Sequence, residues 1–291
     1  MSDAADFEAH RPRLVRLAYR MLGSVAAAED VAQDAWLRWR SAETDQIADP
    51  AAWLVRTATR LCLDRLRAEK TRREAYRGPW LPEPLIEDLA EDPLERAEEV
   101  SVAFLLALER LSPLERAVFM LHDVFDADFS AVAETLGRSE AACRQLAVRA
   151  REHVRETRPR FSVGQAEAAR LAVAFMQAAR DNDLEGLRSL LAEDAVLITD
   201  GGGKRSAALR PMVGREDILA LFQGLRWRSN WLATPQVRLV RVNGYLGAIL
   251  DTEEGPITVA FQPGDGGRLA AIYMVVNPEK LGRVAPAQGA P

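Results

Sequence analysis

The sequence predicts a multidomain chain: two all-helical segments, a helical bundle and then a helix-turn-helix, followed by an α+β domain. Three observations predict this. Apolar residues recur at helical spacing through two stretches, 1–77 and 100–160. A proline-rich acidic linker, 78–99, separates them. From 162 to 281, helices give way to a run of short strands bounded by glycine turns. The last residues, 282–291, read as a disordered tail.

Composition bounds the function. At 291 residues, with 48% apolar and 28% charged, the chain is globular and long enough for two or three domains. The start, MSDAADFEAHRPR, is acidic and lacks the apolar core of a secretory signal, and no apolar run is long enough to span a bilayer. A cytoplasmic protein with no membrane partner is expected. The two cysteines, Cys62 and Cys143, fall in separate helical patterns with no disulfide or metal-ligand spacing, so no metal and no cofactor are expected.

Residues 7–40 read as two helices broken near Gly23 and Ser24. Leu14, Leu17, Ala18, Met21 and Leu22 make one apolar face. The second helix, 26–40, gathers Glu29, Asp30, Gln33 and Asp34 on one side. Such a face suits a basic protein partner, because complementary charge steers docking. The plainer reading is a solvated helix start that complements the helix dipole. After a polar loop at 41–49, Pro50 opens a long helix. Leu54, Ala58, Leu61, Cys62 and Leu66 share one arc of it, and Arg56, Arg60 and Arg67 share another, with Lys70 at its edge. Residues 56–77 hold eight basic side chains against three acidic ones, in a chain whose net charge is −5. A basic stripe with a buried back suits a phosphate backbone. Trp36, Trp39 and Trp53 either stack on bases or, the commoner role, fill the core.

In the linker, Pro79, Pro82, Pro84 and Pro93 forbid a continuous helix, and eight acidic residues stand against Arg96 over 83–99. Trp80, Leu81, Leu85, Ile86 and Leu89 are too apolar for a tether, so the extended WLPEPL stretch is expected to be docked. Beyond it, Ser112, Pro113 and Glu115 form a capping-box signature. A short helix, the Gly137–Arg138 turn and a second helix after Ser139 then read as a helix-turn-helix, with Ala131, Val132 and Leu136 facing Leu146. Residues 138–160 carry seven arginines against three glutamates. Residues 166–191 read as one helical stretch, followed by the DAVLITD strand, the DGGGK turn, a short helix over 215–225 and an antiparallel run of strands. Asn243–Gly244 signals a type I′ hairpin.

AEDVAQDAWLRWR followed by DPAAWLVRTATRLCLDRLR resembles region 2 of the sigma-70 superfamily in its extracytoplasmic-function (group IV) form. LSPLERAVFML and AETLGRSEAACRQLAVRAR resemble region 4 of the same family, in the right order. The resemblance implies core RNA polymerase binding, on the β′ clamp helices, by Glu29, Asp30, Gln33 and Asp34, with the β flap as a further contact. It implies capture of a flipped −10 base by the 41–49 loop and contact with the melted strand by Arg56, Arg60, Arg67 and Lys70. Arg138, Arg144, Gln145 and Arg149 would bind the −35 element, arginine suiting guanine and glutamine adenine. The third segment is similar to the SnoaL-like branch of the NTF2-like cone. WLPEPL (Trp80, Leu81, Pro82, Glu83, Pro84, Leu85), DGGGK (Asp200, Gly201, Gly202, Gly203, Lys204) and NPEKL (Asn277, Pro278, Glu279, Lys280, Leu281) look like motifs of sigma factors with a fused SnoaL-like domain.

The resemblance thus implies an alternative sigma factor, not an enzyme, that directs promoter-specific initiation and is regulated in cis by its third domain. Its partners would be RNA polymerase core and promoter DNA, with no obligate separate anti-sigma factor and with room for an unidentified small ligand in the SnoaL-like pocket. WLPEPL is expected to dock near DGGGK, with Lys204 facing Glu83. Two alternatives stand beside this reading: a ligand-sensing DNA-binding regulator, and a SnoaL-type isomerase or hydrolase tethered to DNA-binding helices. For the latter, Asp200 and Asp251 are the possible bases. All three histidines, His10, His122 and His153, lie outside the third segment.

Overall fold

The computed structural model describes residues 3–89, 100–157, 163–228 and 236–284. The chain divides into two compact units, Met1–Ala75 with Leu105–Arg158, and Tyr76–Phe104 with Pro159–Pro291.

The first unit opens with α1 (Asp3–Leu22), α2 (Val25–Arg40) and α3 (Pro50–Glu74). Gly23, at φ 67°, turns the chain out of α1, and Ser24 caps α2 by accepting the Ala27 N–H at 3.2 Å. Leu14, Leu17, Ala18, Met21 and Leu22 are buried with Val31 and Ala35 of α2 and Leu54, Ala58 and Cys62 of α3. Trp39 is 1% exposed and meets Trp53 edge-on, which places it in the core. Trp36 packs on Phe7.

The division between units falls inside α4 (Val102–Glu109). α5 (Pro113–Phe119) begins in the complete capping box. Ser112 accepts the Glu115 N–H at 3.3 Å, and Glu115 accepts the Ser112 N–H at 3.0 Å. The helix does not run on evenly: Met120–Val124 widens to a π turn, closed by the Phe125 N–H on the Met120 carbonyl at 3.0 Å. α6 (Phe129–Leu136) and α7 (Glu140–Thr157) follow, joined at Gly137 in the left-handed region, φ 62°. Val118, Leu121, Val132, Ala133, Cys143 and Ala147 form the core of this helix-turn-helix, with Leu136 and Leu146 at its margin. Ala131, expected to face inward, is exposed, and Ala133 takes that place.

The second unit holds β1 (Ile86–Glu87), α8 (Gln165–Asp181), α9 (Leu184–Leu190), β2 (Leu191–Asp200), β3 (Met212–Val213), α10 (Arg215–Arg228), β4 (Gln236–Val242), β5 (Tyr245–Thr252), β6 (Gly255–Pro263), β7 (Leu269–Val275) and α11 (Pro278–Leu281). The single helix expected over 166–191 is two. Asn182 adopts the left-handed conformation that ends α8, and Asp183 caps α9 by accepting the Gly186 N–H at 2.9 Å. The sheet runs β1-β4-β5-β6-β7-β2-β3. It is mixed rather than wholly antiparallel, because β2 pairs in parallel with β7. The Asn243–Gly244 turn has φ 51° and 81°, as a type I′ hairpin requires, and Val242 faces Tyr245 across it. Phe175 of α8 meets Phe222 at 5.6 Å and Phe261 at 5.4 Å in the apolar core between sheet and helices. β1 comes from the linker and pairs with β4, Ile86 opposite Val242 and Glu87 opposite Arg241.

Candidate functional site

On α7 the expected base-reading side chains are all exposed: Arg144, Gln145 and Arg149 on the helix, with Arg138 in the turn before it. Arg144 pairs with Glu140 one turn back at 2.6 Å and lies over the Phe129 ring at 5.2 Å. Cys143 points the other way, is fully buried, and has its thiol pKa raised by that burial. Val148 is 52% exposed on the same outer face. It was not singled out from sequence, where an apolar residue on an amphipathic helix reads as core.

The α3 arginines are arranged differently. Arg56 forms an ion pair with Glu134 of α6. Arg60 donates through Nε to the Thr135 carbonyl at 3.1 Å and more loosely to the Glu134 carbonyl. Arg67 is exposed and paired with Asp64 at 3.1 Å. The Lys70 side chain lies outside the described residues. Two members of the expected −10 set therefore engage the first helix of the helix-turn-helix. On α2, Gln33 is exposed and Glu29 half-buried, while Asp30 and Asp34 meet Arg65 of α3 at 3.4 and 2.9 Å. Arg65, one of the eight basic residues counted over 56–77, crosses to the acidic face.

In the second unit, one carboxylate gathers the linker, the glycine turn and the C-terminal helix. Asp200 ends β2 and is fully buried. It accepts from Tyr76 Oη at 2.7 Å, the Leu81 N–H at 2.8 Å and Lys280 Nζ at 2.7 Å. Its carbonyl accepts the N–H groups of Val276 and Asn277 at 2.9 and 3.0 Å. Lys280 also donates to the Leu81 carbonyl and lies over the Trp80 ring at 4.3 Å. Asn277 donates to Tyr76 Oη at 2.9 Å. Burial, and then the Asp200 hydrogen bond, push the Tyr76 pKa up, so its hydroxyl stays a donor. A Cβ on Gly202 would fall 2.3 Å from Asn277 Nδ2, at φ 58°, so only glycine fits there.

Leu81, Pro82, Glu83 and Pro84 are buried, and Leu85 exchanges hydrogen bonds with Asn243, whose side chain also donates to the Val100 carbonyl at 2.9 Å. Neither Asp200 nor Asp251 is left as a base. The first is taken up by donors, and the second forms a two-point pair with Arg238 at 2.8 and 3.1 Å. Lys204 does not face Glu83. The glycine turn closes on the Gly201 carbonyl and sets Lys204 against Glu279 at 3.2 Å, while Glu83 meets Arg283 at 3.9 Å. Arg283 and the buried Val284 thus belong to the fold rather than to the tail, whose remaining residues, 285–291, lie outside the described residues. Tyr76 and Asn243 were missed as site residues. One sits at the frayed end of an arginine-rich helix and the other reads only as a turn former.

Family models for sigma-70 region 2 and sigma-70 region 4 match residues 7–72 and 101–154. The chain is 41% identical over 293 residues to the ECF RNA polymerase sigma factor SigJ of Mycobacterium tuberculosis (strain H37Rv), a match that covers 96% of this chain and 93% of that one. The chain belongs to the extracytoplasmic-function sigma factors. A crystal structure of M. tuberculosis SigJ matches it with a TM-score of 0.79 at 38% identity, over 96% of this chain and 98% of that one. A probable ECF sigma factor, SigI of the same organism, is 38% identical over 193 residues, 65% of this chain and 66% of its own length. As an alternative sigma factor the chain binds RNA polymerase core and promoter DNA for transcription initiation, and it is not an enzyme. The sheet and helices of the second unit make up the sheet-containing domain that follows the helical sigma regions, and the SigJ structure matches through it.

Proposed function

We propose that this sigma factor is regulated in cis, its C-terminal domain setting the arrangement of regions 2 and 4 through their shared linker. The observation that carries the reading is the buried Asp200 carboxylate, on which Tyr76, Leu81 and Lys280 converge. In the active state Glu29, Asp30, Gln33 and Asp34 meet core polymerase. Arg56, Arg60, Arg67 and Lys70 hold the melted −10 strand, and Arg138, Arg144, Gln145 and Arg149 read the −35 element. Engagement of Arg56 and Arg60 by α6 supports a closed state that precedes promoter binding.

Magnitudes say where such a state is held. Glu134 is 62% exposed, so its pair with Arg56 contributes about 0–1 kcal/mol. Stripping Asp200 of its partners leaves a buried charge, which costs about 3–5 kcal/mol. The linker latch, not the arginine pair, is the stronger restraint. Regulation then needs no separate anti-sigma protein, and the protein acts in the cytoplasm.

The test is run-off transcription with purified core polymerase. Trp80→Ala removes the ring beneath Lys280, weakens the latch and raises transcript yield. Wild-type yield from Trp80→Ala, with native circular dichroism and increased protease cleavage at 78–85, would show that releasing the latch changes nothing and would end the cis reading.

A further inference from the structure

A cleft of about 350 Å³ opens beside the DGGGK turn, walled by the start of the linker and by residues 201–209. Arg77, Lys204 and Arg205 line it, with no acidic side chain among its described lining residues, in a chain of net charge −5. Gly78, Gly201 and Gly203 also form its wall, so a ligand can approach the backbone closely. Ser206 adds a hydroxyl.

The three cations are differently committed. Arg205 is anchored by the Gly255 and Pro256 carbonyls, Thr252 Oγ1 and Glu254, all at 3.1–3.4 Å. The Lys204 ammonium is held, among the described residues, only by Glu279, in a pair more than half exposed on both sides. Arg77 is exposed and has no hydrogen bond or ion pair among the described residues. Its aliphatic stem lies on Gly203, where a Cβ would come within 3.1 Å of Arg77 Cδ. A guanidinium fork, an ammonium and a hydroxyl around a cleft with no carboxylate in its described lining are the donor set that phosphate takes. The volume sits at the lower end of small-molecule sites, which suits a phosphate with a small organic group.

We infer that this cleft binds a small phosphate monoester or free phosphate, bridging Arg77 on the linker to Lys204 and Ser206 on the domain. Binding therefore favours the docked linker. That consequence, though not the binding itself, rests on the cis-regulation reading above.

Isothermal titration of the full chain with inorganic phosphate and with glycerol 3-phosphate, against chloride at matched ionic strength, tests it. One saturable site with a dissociation constant of about 1 mM or tighter is expected. Arg77→Ala with Lys204→Ala should weaken it about tenfold or more with native circular dichroism. Tighter binding of the ester supports an organic group in the cleft, and equal binding supports phosphate alone. Heat signals matched by chloride, wild-type affinity in the double variant, or a response to duplex DNA only would each overturn the site. Binding without any effect of phosphate on transcription would keep the site and remove its regulatory role. No binding, with Trp80→Ala still raising transcription, would remove the site and keep cis regulation.

Discussion

Arg65 governs how region 2 presents its acidic face, since it reaches from α3 to Asp30, Asp34 and the Ala27 carbonyl. Asp30→Arg with Asp34→Arg would set two cations beside it. The lost pairs are exposed and contribute about 0–1 kcal/mol each, so the fold should survive. Affinity for core polymerase, measured by fluorescence anisotropy, should nevertheless fall about tenfold or more through like-charge contact. An unchanged affinity with native circular dichroism would remove the face from the interface. On α7, Arg144→Ala should cost about 1–3 kcal/mol at a single upstream base position and relax preference there. A selection over randomised −35 sequences reads this directly, and a uniform loss across all sequences would reassign Arg144 to phosphate. The charge of these residues was legible in the sequence. Their partners were not, because Arg65 meets its carboxylates from 31 and 35 positions away.

Among the elements, those set by local chemistry were legible. The Ser112 capping box, the Gly137 turn and the Asn243–Gly244 hairpin each follow from residues within one turn of the chain. The buried arc of α3 was legible too, because helical spacing alone reports which side faces the core. What covers its basic side was not. Arg60 reaches a carbonyl 75 residues on, and nothing in a periodicity marks that encounter. The π turn at Met120–Val124 was equally silent, since MLHDV differs in no local propensity from an ordinary helix end. Glu134→Lys would repel Arg56 and free its guanidinium, while Arg60 keeps the Thr135 carbonyl. Open-complex formation, followed by permanganate footprinting, should rise severalfold at fixed protein concentration. A footprint of wild-type intensity would mean that the arginine contact imposes no barrier to melting.

For the whole molecule, the order of segments and the helix-to-strand change were readable, but the parallel pairing of β2 with β7 was not, since it joins strands at opposite ends of the domain. The same long range hides why NPEKL matters: Lys280 is the ammonium that neutralises Asp200 across 80 positions. Trimming the chain after Asn277 removes it and leaves a buried carboxylate short of a partner, at a cost of about 3–5 kcal/mol to the docked linker. Transcription should rise. Deletion of residues 163–291 removes the whole surface on which the linker is ordered, and transcription should fall below wild type. If both truncations move yield in the same direction, the domain has one role rather than two.

The two-residue strand β1 lies along β4 at the margin of the sheet. Strand margins with unpaired backbone groups invite pairing with another copy. β4 also shows Val237 and Leu239 to solvent, 45% and 43% exposed. The linker covers β4 only at Arg241 and Val242, so the rest of that margin stays open even with β1 in place. The open length of β4 makes this margin the place where two copies of the chain would pair at high concentration, a tendency that light scattering over a concentration series reads.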